Sequence, residues 1–324
     1  MVLDAMRLYD YFSSFERVPA VPIVGYPVLV SQNLDTHDCL MDPEKHAKVV
    51  EYVKTELDID ALLPLLDLTV EAEALGATVN YHGHDPPEIQ STVDVDNILR
   101  VQRCGKIPAM LKTAKKMLSL ANDLLVGFFV TGPFTATGQT IGLERLLKLI
   151  LREPDKLLQL IQIVTEICFE YAKDLEDAGV DFIVIADPSS SLVSKAQFEE
   201  FSKPYLTQIS KGLTIDSVLH VCGRSKHLLE DMVETGAAAI SIDQNISLEH
   251  AVSATPKDVI IFGNYDPAKL LVEDPLTIRK KVIDMLTSVK HRRNVVSSTG
   301  CDVPPKTPLE NVKIFIQTSK SIMR

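Results

Sequence analysis

Short apolar runs recur along this chain, each stopped by glycine, proline or a polar residue and separated from the next by a helical pattern. A strand with one face in water alternates polar and apolar side chains. A strand that is mostly apolar must be covered on both faces, and parallel sheets under helices are built that way. A short run at residues 21–24 comes first. Clearer strand candidates follow at residues 61–68, 124–131, 180–186, 217–221, 238–242, 259–262 and 294–298. Helical patterns cover residues 43–57, a long stretch opened by Glu153-Pro154-Asp155 and capped by Gly179, and residues 225–235, closed by Gly236. A last helix is signalled by Thr307 as N-cap, Pro308 at the first helical position and Glu310 completing a capping box.

The count comes to about seven clear strands and one weak one, placed near residues 71–80. Eight β/α units in 324 residues favour a closed (β/α)8 TIM barrel over an open doubly wound sheet. No glycine-rich phosphate turn follows an early strand, as an open sheet would lead one to expect. The expectation is a single α/β domain over residues 1–324, a TIM barrel with an N-terminal helical extension. Strand ends of such a barrel converge on one mouth, where active sites lie. Asp67, Asp187, His220, Cys222, Asp243, Asn264 and Cys301 all stand at strand ends.

Composition narrows the function. A net charge of −11 argues against a nucleic-acid-binding surface. No apolar run approaches the ~20 residues of a membrane span. Residues 1–17 mix acids and bases without a signal-peptide core, so the expected location is the cytoplasm, where thiols stay reduced. Five cysteines is an odd number, and Cys39, Cys104 and Cys168 are far apart, so no disulfide framework is expected. The cysteines at strand ends are then free to act as thiolates.

His220-Val221-Cys222 and the distant Gly300-Cys301 supply one imidazole and two thiols. A catalytic zinc site needs three such ligands and one exchangeable position. On spacing alone the same residues also fit a core histidine with two buried thiols, because H-x-C lacks the paired C-x-x-C arms of a structural zinc site. Other strand-end groups carry two readings each. Asp187 supports a substrate or a metal ligand, or else caps a helix in Asp187-Pro188-Ser189. Asp67 lines the mouth or begins a turn. Asn264, in Gly263-Asn264-Tyr265, is a candidate amide behind the metal ligands. Tyr81-His82-Gly83-His84-Asp85 reads as an exposed loop rather than a second metal site. Gly132-Pro133-Phe134-Thr135 shapes a cavity wall, or its glycine simply permits a turn.

Three stretches, residues 179–188, residues 219–223 with 228–232, and residues 300–312, resemble the zinc-dependent methylcorrinoid methyltransferases. This is the methylcobamide:coenzyme M methyltransferase family, within the uroporphyrinogen decarboxylase superfamily. The resemblance places zinc ligands at His220, Cys222 and Cys301. It makes Asp243 the fourth, displaceable ligand, where the family carries glutamate. It implies methyl transfer from methylcobalamin, carried on a separate and transiently docked corrinoid protein, to coenzyme M or tetrahydrofolate. The arginine-rich N-terminal motif of the decarboxylases corresponds here to residues 17–26, with one arginine. Two alternatives remain at this point: a metal-free decarboxylase-like lyase, and a non-catalytic module that docks corrinoid proteins. The ligand set suits a thiol acceptor. Two thiolates and a neutral imidazole already cancel the charge of a zinc ion, so a bound thiolate keeps its electron density.

Overall fold

A computed structural model describes residues 7–95, 98 and 105–324. Its strands are β1 (Ala61–Leu62), β2 (Thr78–Asn80), β3 (Glu88–Ser91), β4 (Leu125–Thr131), β5 (Phe182–Ala186), β6 (Asp216–Val221), β7 (Ala239–Ile242), β8 (Ile260–Tyr265) and β9 (Val295–Thr299). Seven of them form one sheet in the order β1-β4-β5-β6-β7-β8-β9, and every neighbouring pair is parallel. Apart from β1 and β4, whose link also carries β2 and β3, sheet neighbours follow one another in sequence with helical segments between. The chain therefore winds one way round the sheet, as the apolar runs imply.

The sheet curls until its edges meet across the N-terminal run. Ser297 N donates to Pro19 O and Val21 N donates to Ser297 O, both at 2.8 Å, while Asp60 N donates to Ala20 O at 3.0 Å. Residues 19–21 thus bridge β9 to the chain just before β1. Pro19 and Pro22 carry no N–H, so this segment cannot complete a regular ladder. The eighth strand expected near residues 71–80 is not in the ring. That stretch holds a helix, Val70–Ala74, and β2, which pairs antiparallel with β3 outside the barrel. β1 is shorter than the apolar run that signals it, and Pro64 follows within it. The last helix spans Leu309–Lys320 with Pro308 as N-cap and no side-chain cap, so the expected Thr307–Glu310 box does not form.

Side chains alternate along each strand between the barrel interior and the helical shell. Phe182 and Val184 point inward and join Val21, Leu63, Phe129 and Phe262 in one buried cluster. Ile183 and Ile185 point outward into a second cluster with the helices. The interior is filled, leaving a cavity of only about 20 Å3. Its lower end is closed by the helix Leu8–Ser14: Leu8 N donates to Asp216 at the start of β6 at 2.7 Å, and Phe12 meets Phe262 edge to face at 5.3 Å. The chemistry is thereby confined to the other end, where the strands finish. No helix among the described residues is long and apolar enough to cross a membrane.

Gly127 shows how tight the interior is. A Cβ there would lie 2.3 Å from the Phe182 ring and 2.8 Å from Leu63. Gly127→Ala should therefore cost about 1–3 kcal/mol, the usual penalty of overpacking. Equilibrium urea denaturation measures it, and an unchanged midpoint would contradict this packing.

Candidate metal centre

The pleat of β6 aims its residues in turn. Val218 belongs to the interior cluster, whereas Leu219 and Val221 belong to the outer one. His220 shares the inward phase of Val218, and Cys222, the first residue past the strand, continues it. Cys301 arrives from the end of β9. It follows Gly300, whose N–H donates to Tyr265 O at 2.8 Å. A Cβ on Gly300 would fall 2.6 Å from the Gln244 amide nitrogen, so only glycine lets the end of β9 approach the loop after β7 this closely.

The ligand atoms of His220, Cys222 and Cys301 all lie within 4.8 Å of one another. His220 is 1% exposed. Its Nδ1 is 2.9 Å from Ser241 Oγ, and its Nε2 is buried with no hydrogen-bond partner. A buried polar nitrogen left unpaired costs about 1–3 kcal/mol, so it calls for an explanation. With Nδ1–H donating to Ser241, Nε2 presents a lone pair beside two sulfurs, the arrangement a metal-ligating histidine requires. Hydrogen bonding from Cys301 is the main force holding the Cys222 thiol below its usual range, and the same bond, with burial, pushes Cys301 up. One imidazole and two soft sulfurs suit a zinc ion. Cys39, Cys168, Cys222 and Cys301 are free thiols, and Cys104 lies outside the described residues.

The other candidate residues are held by hydrogen bonds of their own, and Asp187 N bonds to His220 O at 2.9 Å. Asp243 is buried, with Oδ2 accepting from Gly223 N at 2.8 Å and Oδ1 accepting from Asn245 N at 2.8 Å and from its side-chain amide. It is not among the three residues whose ligand atoms converge. Asn264 Nδ2 donates to the carbonyls of Asp243, at 2.9 Å, and Ile246. Asp187 accepts from Thr135 N at 2.7 Å on one oxygen and from the hydroxyls of Ser190 and Ser202, at 2.6 and 2.8 Å, on the other. Gly132 makes room for it, since a Cβ there would meet the Asp187 Cβ at 2.4 Å. Asp67 accepts from Thr69 N and Oγ1 and forms a buried ion pair with Lys106 at 2.6 Å. His82 contacts Asn80, and His84 contacts Leu34 O.

Three supporting residues escaped the sequence reading. Ser241 had a signal, because it is two positions before Asp243 and so shares its phase on β7. Lys106 had none, as only the folded chain brings it to Asp67. Glu71 lies on the helix Val70–Ala74. Its two oxygens accept from Thr131 N at 2.7 Å and Thr131 Oγ1 at 2.6 Å, at the end of β4.

The family model described as uroporphyrinogen decarboxylase (URO-D) matches residues 13–322. The chain belongs to the uroporphyrinogen decarboxylase family. Within it, methylcobamide:CoM methyltransferase MtbA of Methanosarcina mazei is 30% identical over 298 residues, covering 86% of this chain and 85% of that protein. The uroporphyrinogen decarboxylase of Koribacter versatilis is 27% identical over 284 residues, covering 84% and 81%. A solved structure of a methyltransferase from Methanosarcina mazei has the same fold, with a TM-score of 0.88 over 97% of each chain at 24% identity. Both activities of the family are represented at similar identity. The His220, Cys222 and Cys301 cluster is therefore the more telling observation.

Burial pushes the Glu71 carboxyl up to about 7. A carboxyl whose folded value is raised favours the protonated form, so its contribution is full below the unfolded value and is lost as pH rises through about 7. Glu71→Gln mimics the protonated group and can keep both contacts to Thr131. Between about pH 5 and 8 the native protein should lose stability relative to this variant, by about 1.4 kcal/mol per unit of the shift. Parallel denaturation curves at several pH values test this, and equal pH slopes would contradict it.

Proposed function

We propose that this protein moves a methyl group from a methylcorrinoid to a small acceptor at a zinc ion held by His220, Cys222 and Cys301. The observation that carries the reading is the orphaned, buried His220 Nε2 facing two cysteine sulfurs. The donor is methylcobalamin borne by a transiently docked corrinoid protein. The acceptor is the thiol of coenzyme M, in line with the printed name of the Methanosarcina mazei relative, or else tetrahydrofolate.

Zinc, when bound, would supply the positive charge that keeps an acceptor thiol deprotonated at neutral pH. The chain's own residues do the rest. Ser241 holds the imidazole at Nδ1. Asp243, holding Gly223 N, fixes the turn that carries Cys222. We assign Asp243 as the exchangeable fourth ligand: its carboxylate is anchored at Gly223 N, next to Cys222, but is not among the ligand atoms that already converge. In the transfer, a bond forms between acceptor sulfur and methyl carbon while the carbon–cobalt bond breaks, and its electron pair stays on cobalt. The filled barrel has no room for a cobalamin, which must therefore be presented at the mouth by its own protein.

A metal-free decarboxylase has less support. Arg17, the single arginine of residues 17–26, gives both terminal nitrogens to Asp60 at 2.8 and 2.7 Å and is not free for a substrate carboxylate. Loss of methylcobalamin absorbance with a panel of acceptors tests the activity directly. The purified protein should hold about one zinc per chain. Cys222→Ala and Cys301→Ala should stay folded, lose zinc and lose transfer by more than about a hundredfold, whereas Asp243→Asn should be milder. Near-normal transfer by either cysteine variant would rule out the assignment.

A further inference from the structure

Building on that reading, we propose that Arg224 selects the acceptor: its guanidinium binds the anionic tail, sulfonate or carboxylate, of a small thiol whose sulfur lies at the three-residue cluster.

Arg224 is two residues past Cys222, on a turn that is firmly tied down. Gly223, at φ +85°, donates its N–H to Asp243. Ser225 N bonds back to Gly223 O at 2.9 Å, and Ser225 Oγ donates to Val221 O at 2.8 Å. His227 contacts Arg224 O at 3.1 Å with Nδ1 and Val193 O at 2.9 Å with Nε2. The Arg224 and Cys222 Cα atoms are therefore at most ~7 Å apart, on a backbone with little freedom. A small thiol at the cluster would keep its charged end within reach of such a side chain.

The guanidinium is exposed and has no hydrogen bond or ion pair. Other arginines of the protein are engaged: Arg17 by Asp60, Arg145 by Asp94, and Arg292, Arg293 and Arg324 by backbone carbonyls. Arg7, Arg152 and Arg279 are also unpaired, but they precede the first helix or lie on helices. Among the described residues, Arg224 is the one arginine on a strand-end loop. Lys106, the buried cation at the mouth, is fully enclosed and paired with Asp67, so it cannot meet a ligand. Lys226 and Lys306 are exposed on the two ligand loops but stand farther from Cys222 and Cys301 in sequence.

Charge makes the arginine matter. With a net charge of −11 and carboxylates around the mouth, the protein repels an anion at long range. Salt screens that repulsion within ~10 Å, so a local cation decides the outcome. A guanidinium pairs with an oxyanion through two parallel N–H bonds, which an ammonium cannot do.

The test is kinetic, with free methylcobalamin as donor and mercaptoethanesulfonate, mercaptopropionate or mercaptoethanol as acceptor. Arg224→Gln should raise KM for both anionic thiols about tenfold or more, the scale of a lost charge-assisted bond. It should leave kcat, and KM for neutral mercaptoethanol, within about twofold. Arg224→Lys should recover part of the loss. Arg279→Gln, with the same change in net charge, should have no effect, and Lys226→Gln or Lys306→Gln should have less than Arg224→Gln. An unchanged preference in Arg224→Gln, an equal rise for mercaptoethanol, or a larger effect at either lysine would overturn the proposal. Calorimetric titration of the zinc-containing protein with the same thiols separates this from the parent reading. Arg224-dependent preference in binding without any turnover would sink methyl transfer and leave the anion site standing. Equal binding of anionic and neutral thiols by the native protein would sink the anion site whether or not transfer occurs.

Discussion

Side chains two apart on an extended chain point the same way, and the candidate site depends on that rule. It carries His220 and Cys222 into the barrel mouth together while Val221 between them packs outward. It also fixes what accompanies them, since His220 is in register with Ser241 of β7. An imidazole so placed has one nitrogen satisfied and one exposed to nothing but the cluster. The neighbouring sulfurs supply the reason.

Keeping three ligands from two distant strands in register requires the strand ends to be tied to one another. Asp187 N bonds to His220 O, Gly223 N to Asp243, Asn264 to Asp243 O, and Gly300 N to Tyr265 O. These links join β5, β6, β7, β8 and β9 in turn at the mouth. The acidic residues there are spent on this work. Asp187, Asp243 and Glu71 accept hydrogen bonds from neighbouring segments, and Asp67 is paired with Lys106. A mouth built this way is rigid, and its carboxylates are largely occupied.

Much of this was legible in the sequence because burial and alternation are local patterns. The strands β4 to β9 fall where the apolar runs lie, and Gly179 ends the long helix in a left-handed cap, φ +102°. The ring closure was not legible. Residues 19–21 contribute few ladder bonds between two prolines, while residues 71–80 begin on a helix on which Ala72 and Ala74 are buried. The terminal helix begins at Leu309, so Thr307 is one position too early to cap it. Asp187 directly follows β5 and Asn264 is the penultimate residue of β8, whereas Asp67 lies five residues past the short β1; all three have hydrogen-bond partners on segments that sequence spacing does not connect. Lys106 lies 39 positions from Asp67 and meets it only in the folded chain.

The central claim is a zinc ion with two sulfur ligands and an exchangeable position. X-ray absorption at the zinc edge reads this directly. The protein alone should give two sulfur scatterers near about 2.3 Å with nitrogen and oxygen near about 2.0–2.2 Å. Adding the acceptor thiol should raise the sulfur count to three. A zinc sphere without sulfur, or one that an acceptor thiol leaves unchanged while methyl transfer proceeds, would contradict the account.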